Sequence, residues 1–197
     1  QMHWPQEAPA NWHLDLLIAH KIVLPALNDY QDEILLWRFH RRAVRDEAGH
    51  QFSFIFYASA ETAYQVYHLI RSNELLSEMK FAGMIVEDGY DNTDRISRPG
   101  IEEASDAAWP HSIQKSWPYF IMGASQMWLN LISETIPGMP NSDRPLSIEA
   151  YEARYEEASA VITELWRKRG QHAFLHHLSA LFGYQEIIFY DKRMLKF

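Results

Sequence analysis

Four polar side chains in the first third of the chain have the types that bind an anion and move a proton. Arg38, His40 and Arg42 occupy alternate positions, and Tyr57 follows further along. Guanidinium groups bind a carboxylate or a developing enolate, and an imidazole or a phenol transfers protons. We predict a site in which His40 and Tyr57 are catalytic and Arg38 and Arg42 bind substrate; a merely solvated sheet face is the alternative.

The element that would position these side chains is an antiparallel β-hairpin. Aromatic and polar residues alternate in two runs separated by a polar stretch, the pattern of two half-buried strands joined by a turn. The register centred on this stretch sets Phe39 opposite Phe54 and Trp37 opposite Phe56. One face is then aromatic and faces the core. The other face carries Arg38, His40, Arg42, Gln51, Ser53 and Tyr57.

The remaining elements follow from the spacing of apolar residues. We predict strands over residues 12–18, 81–86 and 186–190 and helices over residues 22–30, 60–78, 113–136, 147–169 and 171–182, with Ser147 as an N-cap. An irregular loop fills residues 87–100. The pattern predicts an α+β fold, in which an antiparallel sheet of about four strands is covered by long antiparallel helices. We expect a single domain over residues 1–197.

Two patterns resemble metal sites without meeting their requirements. His172 and His176 share a helical face, but a third ligand is missing there. The acidic residues of the loop over 87–94 lack the ligand ladder of a calcium loop. We therefore predict no metal site.

The tryptophans favour core packing, with one exception that bears on binding. Trp109-Pro110 and Trp117-Pro118 each stand where a loop meets a helix. At such a junction an indole lines a cleft, so Trp117 is a candidate substrate-binding residue.

Composition narrows the range of partners and compartments. The net charge of −8 argues against nucleic acid. No stretch is long and apolar enough to be a membrane span. The chain contains no Cys, which excludes disulfides and thiolate chemistry. The sequence begins at Gln1, so a cytoplasmic protein and a cell-envelope protein that has lost a signal, or a lipidated Cys, both stay open.

The order of features resembles the C-terminal domain of lantibiotic dehydratases, which also stands alone as the pyridine-forming cyclase of thiopeptide biosynthesis. The matching stretches are an aromatic opening over Trp12–Leu27, the hairpin runs Leu35–Arg41 and His50–Phe54, a Gly-led strand Gly83–Val86, a loop with Tyr90, Asp94-Arg95 and Pro99-Gly100, and a closing frame over Leu175–Gly183. They extend over most of the chain.

The resemblance implies a peptide-tailoring enzyme of ribosomal natural-product biosynthesis. Such a lyase or cyclase removes glutamate from a modified Ser or Thr, or joins two dehydroamino acids, without a cofactor. His176 or His177 would then assist as further catalytic residues. The peptide substrate would lie along an open sheet edge or in the Trp-lined cleft.

Departures from the family pattern favour another class of function. The family's Arg-rich second strand reads Gln51, Ser53 and Ile55 here, and its Asn-Arg pair reads Ser179-Ala180. A non-catalytic peptide- or protein-binding domain of the same fold, in one version an exported lipoprotein, is therefore the alternative. A metal carrier that uses the ten His and seven Met residues is a third hypothesis, based on composition alone. A homodimer is left open.

Overall fold

The computed structural model describes residues 1–95, 105–136, 146–170 and 172–184. Contacts group the chain into two compact units, Gln1–Ser159 and Ala160–Phe197. The single domain stays a prediction. The α+β class is confirmed, but the prediction of about four strands is wrong, because the described residues form one sheet of two strands.

The first predicted strand is part of a helix. Helix α1 covers Trp12–Ile18, continues through a π-helical turn, Ala19–Val23, and ends as α2, Leu24–Asp29. The alternation over residues 12–18 belongs to a longer pattern in which Leu14, Ile18, Ile22 and Ala26 are buried. A four-residue spacing places side chains on one helical face, so the longer pattern determines the structure. The predicted helix at 22–30 is confirmed.

The hairpin forms with the predicted register. Strand β1 spans Leu36–Ala43 and pairs antiparallel with β2, His50–Tyr57, so that Phe39 faces Phe54 and Trp37 faces Phe56. Gly49, at a φ of +58°, allows the tight return into β2.

The predicted helix over 60–78 is two helices. Helix α3 spans Ala60–Arg71 and α4 spans Glu74–Phe81. The break occurs because the side chain of Asn73 accepts a hydrogen bond from the N–H of Leu76 at 3.2 Å, which caps a new helix. Because α4 continues to Phe81, the predicted strand over 81–86 does not form, and Ile85 makes only an isolated bridge with Met2.

Helix α5, His111–Thr135, agrees with the predicted helix and packs against β1. Its residues Leu129 and Ile132 are buried. They belong to the core of the first unit, together with Leu14, Leu17, Ile22, Val66, Met79 and Tyr155.

Helix α6 spans Ile148–Leu165 and contains the boundary between the two units. Ser147 caps it as predicted, with the N–H of Ala150 donating to the Ser147 hydroxyl at 3.3 Å. The second unit continues with π-helical turns, Trp166–Gly170 and His172–His176, and with α7, His177–Leu181. The predicted strand at 186–190 and the matched Pro99-Gly100 lie outside the described residues. The antiparallel arrangement of the long helices stays a prediction.

Candidate functional site

Alternate backbone groups of the hairpin point away from the partner strand. The N–H of Val44 donates to the carbonyl of Gly49 at the turn, which makes every second pair of the ladder a hydrogen-bonded pair. The other pairs, with Phe39 opposite Phe54 among them, direct their N–H and C=O groups outward. On β2 the outward groups belong to His50, Phe52, Phe54 and Phe56.

The outer edge of β1 is covered by α5. The outward N–H of Phe39 donates to the hydroxyl of Ser125 at 3.1 Å, and that hydroxyl donates to the carbonyl of Ile121 at 2.8 Å. Trp128, one turn further along α5, packs edge-on against Phe39 with ring centroids 5.3 Å apart. At Phe39 this edge is therefore not available to another strand.

Of the residues that the structure describes, those that cover the outer edge of β2 do so at its beginning. The N–H of Met2 donates to the carbonyl of His50 at 2.9 Å. Beyond this bond, no residue that the structure describes forms a hydrogen bond with the outward backbone groups of Phe52, Phe54 or Phe56. These groups border a cleft of about 500 Å³. An unpaired strand edge is a template for pairing with another chain.

The opposite wall of the cleft is the segment that follows Ile85. Asp88 forms an ion pair with Lys80 at 2.8 Å, and Tyr90 packs under the guanidinium of Arg71 at 4.0 Å and edge-on against Tyr67. Burial and then the hydrogen bond to Asp88 raise the pKa of Tyr90 to about 12. These contacts hold the wall in place.

Two further acidic residues line the cleft without an ion pair to a Lys, Arg or His side chain among the described residues. Glu87 and Asp91 border the same space as Phe54 and Phe56. No Lys, Arg or His of the described residues lies within ion-pair distance of either. The amino group of Gln1 donates to the backbone carbonyl of Glu87 at 2.6 Å; burial lowers the pKa of this amino group, and the nearby charge of Glu87 opposes that shift. The cleft therefore combines unpaired backbone groups along one side with negative charge along the other.

A buried charged cluster holds the covered end of β2. Asp15 and His50 are fully buried, and the guanidinium of Arg41 donates to Asp15 at 2.7 Å while lying between the rings of Trp12 and Trp128. Nε2 of His50 lies 3.0 Å from Oδ1 of Asp15, but the geometry is not that of a hydrogen bond. The cluster fixes the positions of α1 and the hairpin, and Asp15 and His50, which are fully buried, cannot contact a ligand in this arrangement.

The predicted site face is formed, and its residues have different surroundings. The register places Arg38, His40 and Tyr57 on one face of the hairpin; His40 is exposed, and the other two are half-buried. Arg42 shares the face but forms two hydrogen bonds with Asp46 in the turn, at 3.2 and 2.6 Å. This contact holds the pKa of Asp46 below its ordinary value.

The other predicted site residues lie elsewhere. Trp117, on α5, packs edge-on against Trp109, which precedes that helix, with ring centroids 5.0 Å apart. His176 and His177 are exposed in the second unit, where their rings are 5.1 Å apart. Within the described ranges, no group of three His, Asp or Glu side chains is arranged to hold a metal ion. No helix in those ranges is long and apolar enough to cross a membrane.

Comparison with known proteins adds no assignment. No family model matches the chain, and neither the curated proteins nor the solved structures give a match. The likeness to lantibiotic dehydratases therefore stays a prediction.

The sequence interpretation missed the cleft. It placed Phe52, Phe54 and Phe56 correctly on the aromatic face, but side-chain alternation does not reveal which backbone edge stays unpaired. In the sequence, the acidic residues after Val86 suggest a calcium loop and no other kind of site. The sequence feature that could have indicated the cleft is that these acidic residues directly follow the predicted strand that ends at Val86.

Proposed function

We propose that this protein binds an extended peptide segment of another chain, which adds as a strand to the outer edge of β2. The observation that carries the proposal is the row of outward backbone groups at Phe52, Phe54 and Phe56, without partners among the described residues and bordering the cleft. Strand addition is a recurring mode of peptide recognition, in which backbone bonds supply affinity and flanking pockets supply specificity.

Five peptide residues would satisfy this edge. At about 3.4 Å per residue they extend for roughly 17 Å, and alternate residues exchange hydrogen bonds with the three phenylalanine backbones. Each such bond contributes on the order of 1 kcal/mol net, and ordering the peptide offsets part of the sum. Six bonds of this size, less the ordering cost, predict a dissociation constant of about 100 μM or weaker.

The test is a pair of variants that differ at one backbone group. Phe54→Ala and Phe54→Pro both lose the ring, but only Pro removes the outward N–H; Pro is tolerated where that N–H faces away from the ladder. The probe is a peptide selected from a displayed library of random decapeptides on the unchanged protein. Phe54→Pro should bind it at least 5-fold more weakly than Phe54→Ala. Equal affinities in two folded variants, or a library that gives no binder, would overturn the proposal.

Peptide tailoring stays a second proposal, supported by the face shared by Arg38, His40 and Tyr57. A peptide on the β2 edge lies about 5 Å from β2 and about 10 Å from β1, within reach of long side chains. His40 would take the α-proton of a glutamylated Ser as the glutamate leaves, with Arg38 binding that carboxylate. Mass spectrometry should detect loss of glutamate with the unchanged protein and not with folded His40→Ala. Equal loss with both proteins would exclude this role of His40.

A further inference from the structure

The first residues of the chain indicate how a strand fits into the cleft. Met2 forms antiparallel bridges with both His50 and Ile85. The N–H of His3 donates to the carbonyl of Met84 at 2.9 Å, and the N–H of Val86 donates to the carbonyl of Gln1 at 2.9 Å. The segment Gln1–His3 therefore lies between the beginning of β2 and residues 84–86 and runs antiparallel to both.

The cleft is the continuation of the space that Gln1–His3 occupies. Its walls are the next residues along each neighbour: Phe52 to Phe56 of β2 on one side and Glu87 to Asp91 on the other. A ligand that runs in the same direction as Gln1–His3 would be antiparallel to β2. Antiparallel pairs are more stable per residue than parallel pairs. In an antiparallel pair, the outward N–H and C=O of one β2 residue both form hydrogen bonds with the same ligand residue.

The charge of the second wall specifies the chemistry of the ligand. Asp88 already has Lys80 as its partner. Glu87 has only the amino group of Gln1 nearby, which donates to its backbone carbonyl at 2.6 Å, and Asp91 forms no ion pair with a described residue, so the wall keeps a net negative charge. The chain as a whole carries a net charge of −8. Opposite charge across an interface favours binding and discriminates against partners of like charge.

We infer, building on the proposed function, that the occupant of the cleft is a basic peptide that runs antiparallel to β2 and carries a Lys or Arg toward Glu87 and Asp91. Its amino-terminal residues lie beside Phe56 and its carboxy-terminal residues lie beside Phe52. The substrate or partner class is therefore a basic extended segment.

The charge requirement is tested with three acetylated, amidated peptides that differ at their central residue. The probes are Thr-Val-Thr-Val-Lys-Val-Thr-Val-Thr and its versions with central Thr or Glu. We expect the Lys peptide to bind about 3- to 10-fold more tightly than the Thr peptide and the Glu peptide to bind most weakly. The Lys preference should decrease from 50 to 500 mM salt.

Variants locate this preference on the cleft wall. The double change Glu87→Gln with Asp91→Asn should bring the Lys peptide to the affinity of the Thr peptide and leave the Thr peptide unchanged. Asp32→Asn, an exposed acid that does not line the cleft, is the matched control and should keep the preference. A preference that survives the double change contradicts the assignment of these carboxylates.

Direction is tested with a nitroxide label on either end of the Lys peptide. A carboxy-terminal label should broaden the amide signals of Gln51 and Phe52, and an amino-terminal label those of Phe56 and Tyr57. The reverse pattern would overturn the antiparallel inference. If the peptides bind along this edge but in the reverse direction or without charge preference, the inference fails and the proposed function stands. If they bind without affecting the β2 edge, the proposed function fails as well.

Discussion

At the scale of single residues, burial determines which charged groups matter for stability. Arg41 and Arg42 are neighbours in β1, and each pairs with an aspartate. Arg41 pairs with Asp15, which is fully buried, whereas Arg42 pairs with Asp46 at the exposed turn. Two ion pairs of similar geometry should therefore differ widely in their contribution to folding.

We expect Asp15→Asn to lower the free energy of unfolding by about 3 kcal/mol, because it leaves Arg41 without its counterion beside a buried site. Arg42→Gln, which breaks the exposed pair, should cost less than about 1 kcal/mol. Urea denaturation of both variants measures the difference. Equal losses would show that the Asp15 cluster does not anchor the fold.

His20 gives stability a dependence on pH. Burial, followed by the nearby charge of Lys21, lowers its pKa from 6.5 to about 4, and its Nδ1 lies 2.6 Å from the hydroxyl of Tyr155. Between pH 6.5 and 4 the unfolded chain takes up a proton at this position that the folded chain does not, so stability falls as the pH falls.

The expected loss from His20 is on the order of 1 kcal/mol between pH 7 and 4, less than the full shift implies, because the imidazole is only partly buried. Thermal melts of the unchanged protein and of His20→Gln separate this contribution from that of the carboxylates. The difference between the two proteins should shrink as the pH falls. A constant difference would contradict the assignment.

At the scale of elements, the two edges of the hairpin differ in how they are covered, and the hydroxyl of Ser125 contributes to covering the β1 edge. Ser125 accepts the outward N–H of Phe39 and is buried in α5. Ser133 lies further along the same helix, and its hydroxyl donates to the carbonyl of Leu129 within that helix. The two serines are a matched pair for measuring what covering the β1 edge contributes.

Ser125→Ala should lower the free energy of unfolding by about 1–2 kcal/mol, since it leaves a buried strand N–H without a partner. Ser133→Ala should change it by less than about 0.5 kcal/mol. Chemical denaturation provides the comparison. If the Ser125 variant is as stable as the Ser133 variant, α5 covers β1 by packing alone.

The sequence predicted an element correctly where the spacing of its apolar residues fits only one type of secondary structure. The hairpin register followed from alternating aromatic residues, and the structure confirms it. The stretch over residues 12–18 alternates like a strand, but burial at Leu14, Ile18 and Ile22 shows the helical period of a longer segment. Asn73 divided a predicted helix because its capping bond competes with continuation of the helix.

At the scale of the whole molecule, the proposed function depends on which strand edge stays open, and this is a property of tertiary packing. Among the described residues, helix α5 covers β1 at Phe39, and the segment Gln1–His3 pairs with the beginning of β2. Neither placement follows from local spacing. The polar face that the sequence did predict is formed around Arg38 and His40, but the cleft lies along the strand edge beside it.

The most direct test of the central claim is amide hydrogen exchange of β2, measured by NMR without and with the acetylated Lys nonapeptide. Ser53 and Ile55 donate to β1 and should be protected in both states. Phe52, Phe54 and Phe56 should exchange rapidly in the free protein and at least 5-fold more slowly with the peptide at saturation. Slowing confined to these alternate residues is the result that strand addition predicts. Unchanged exchange at all three positions, with the peptide bound, would contradict it.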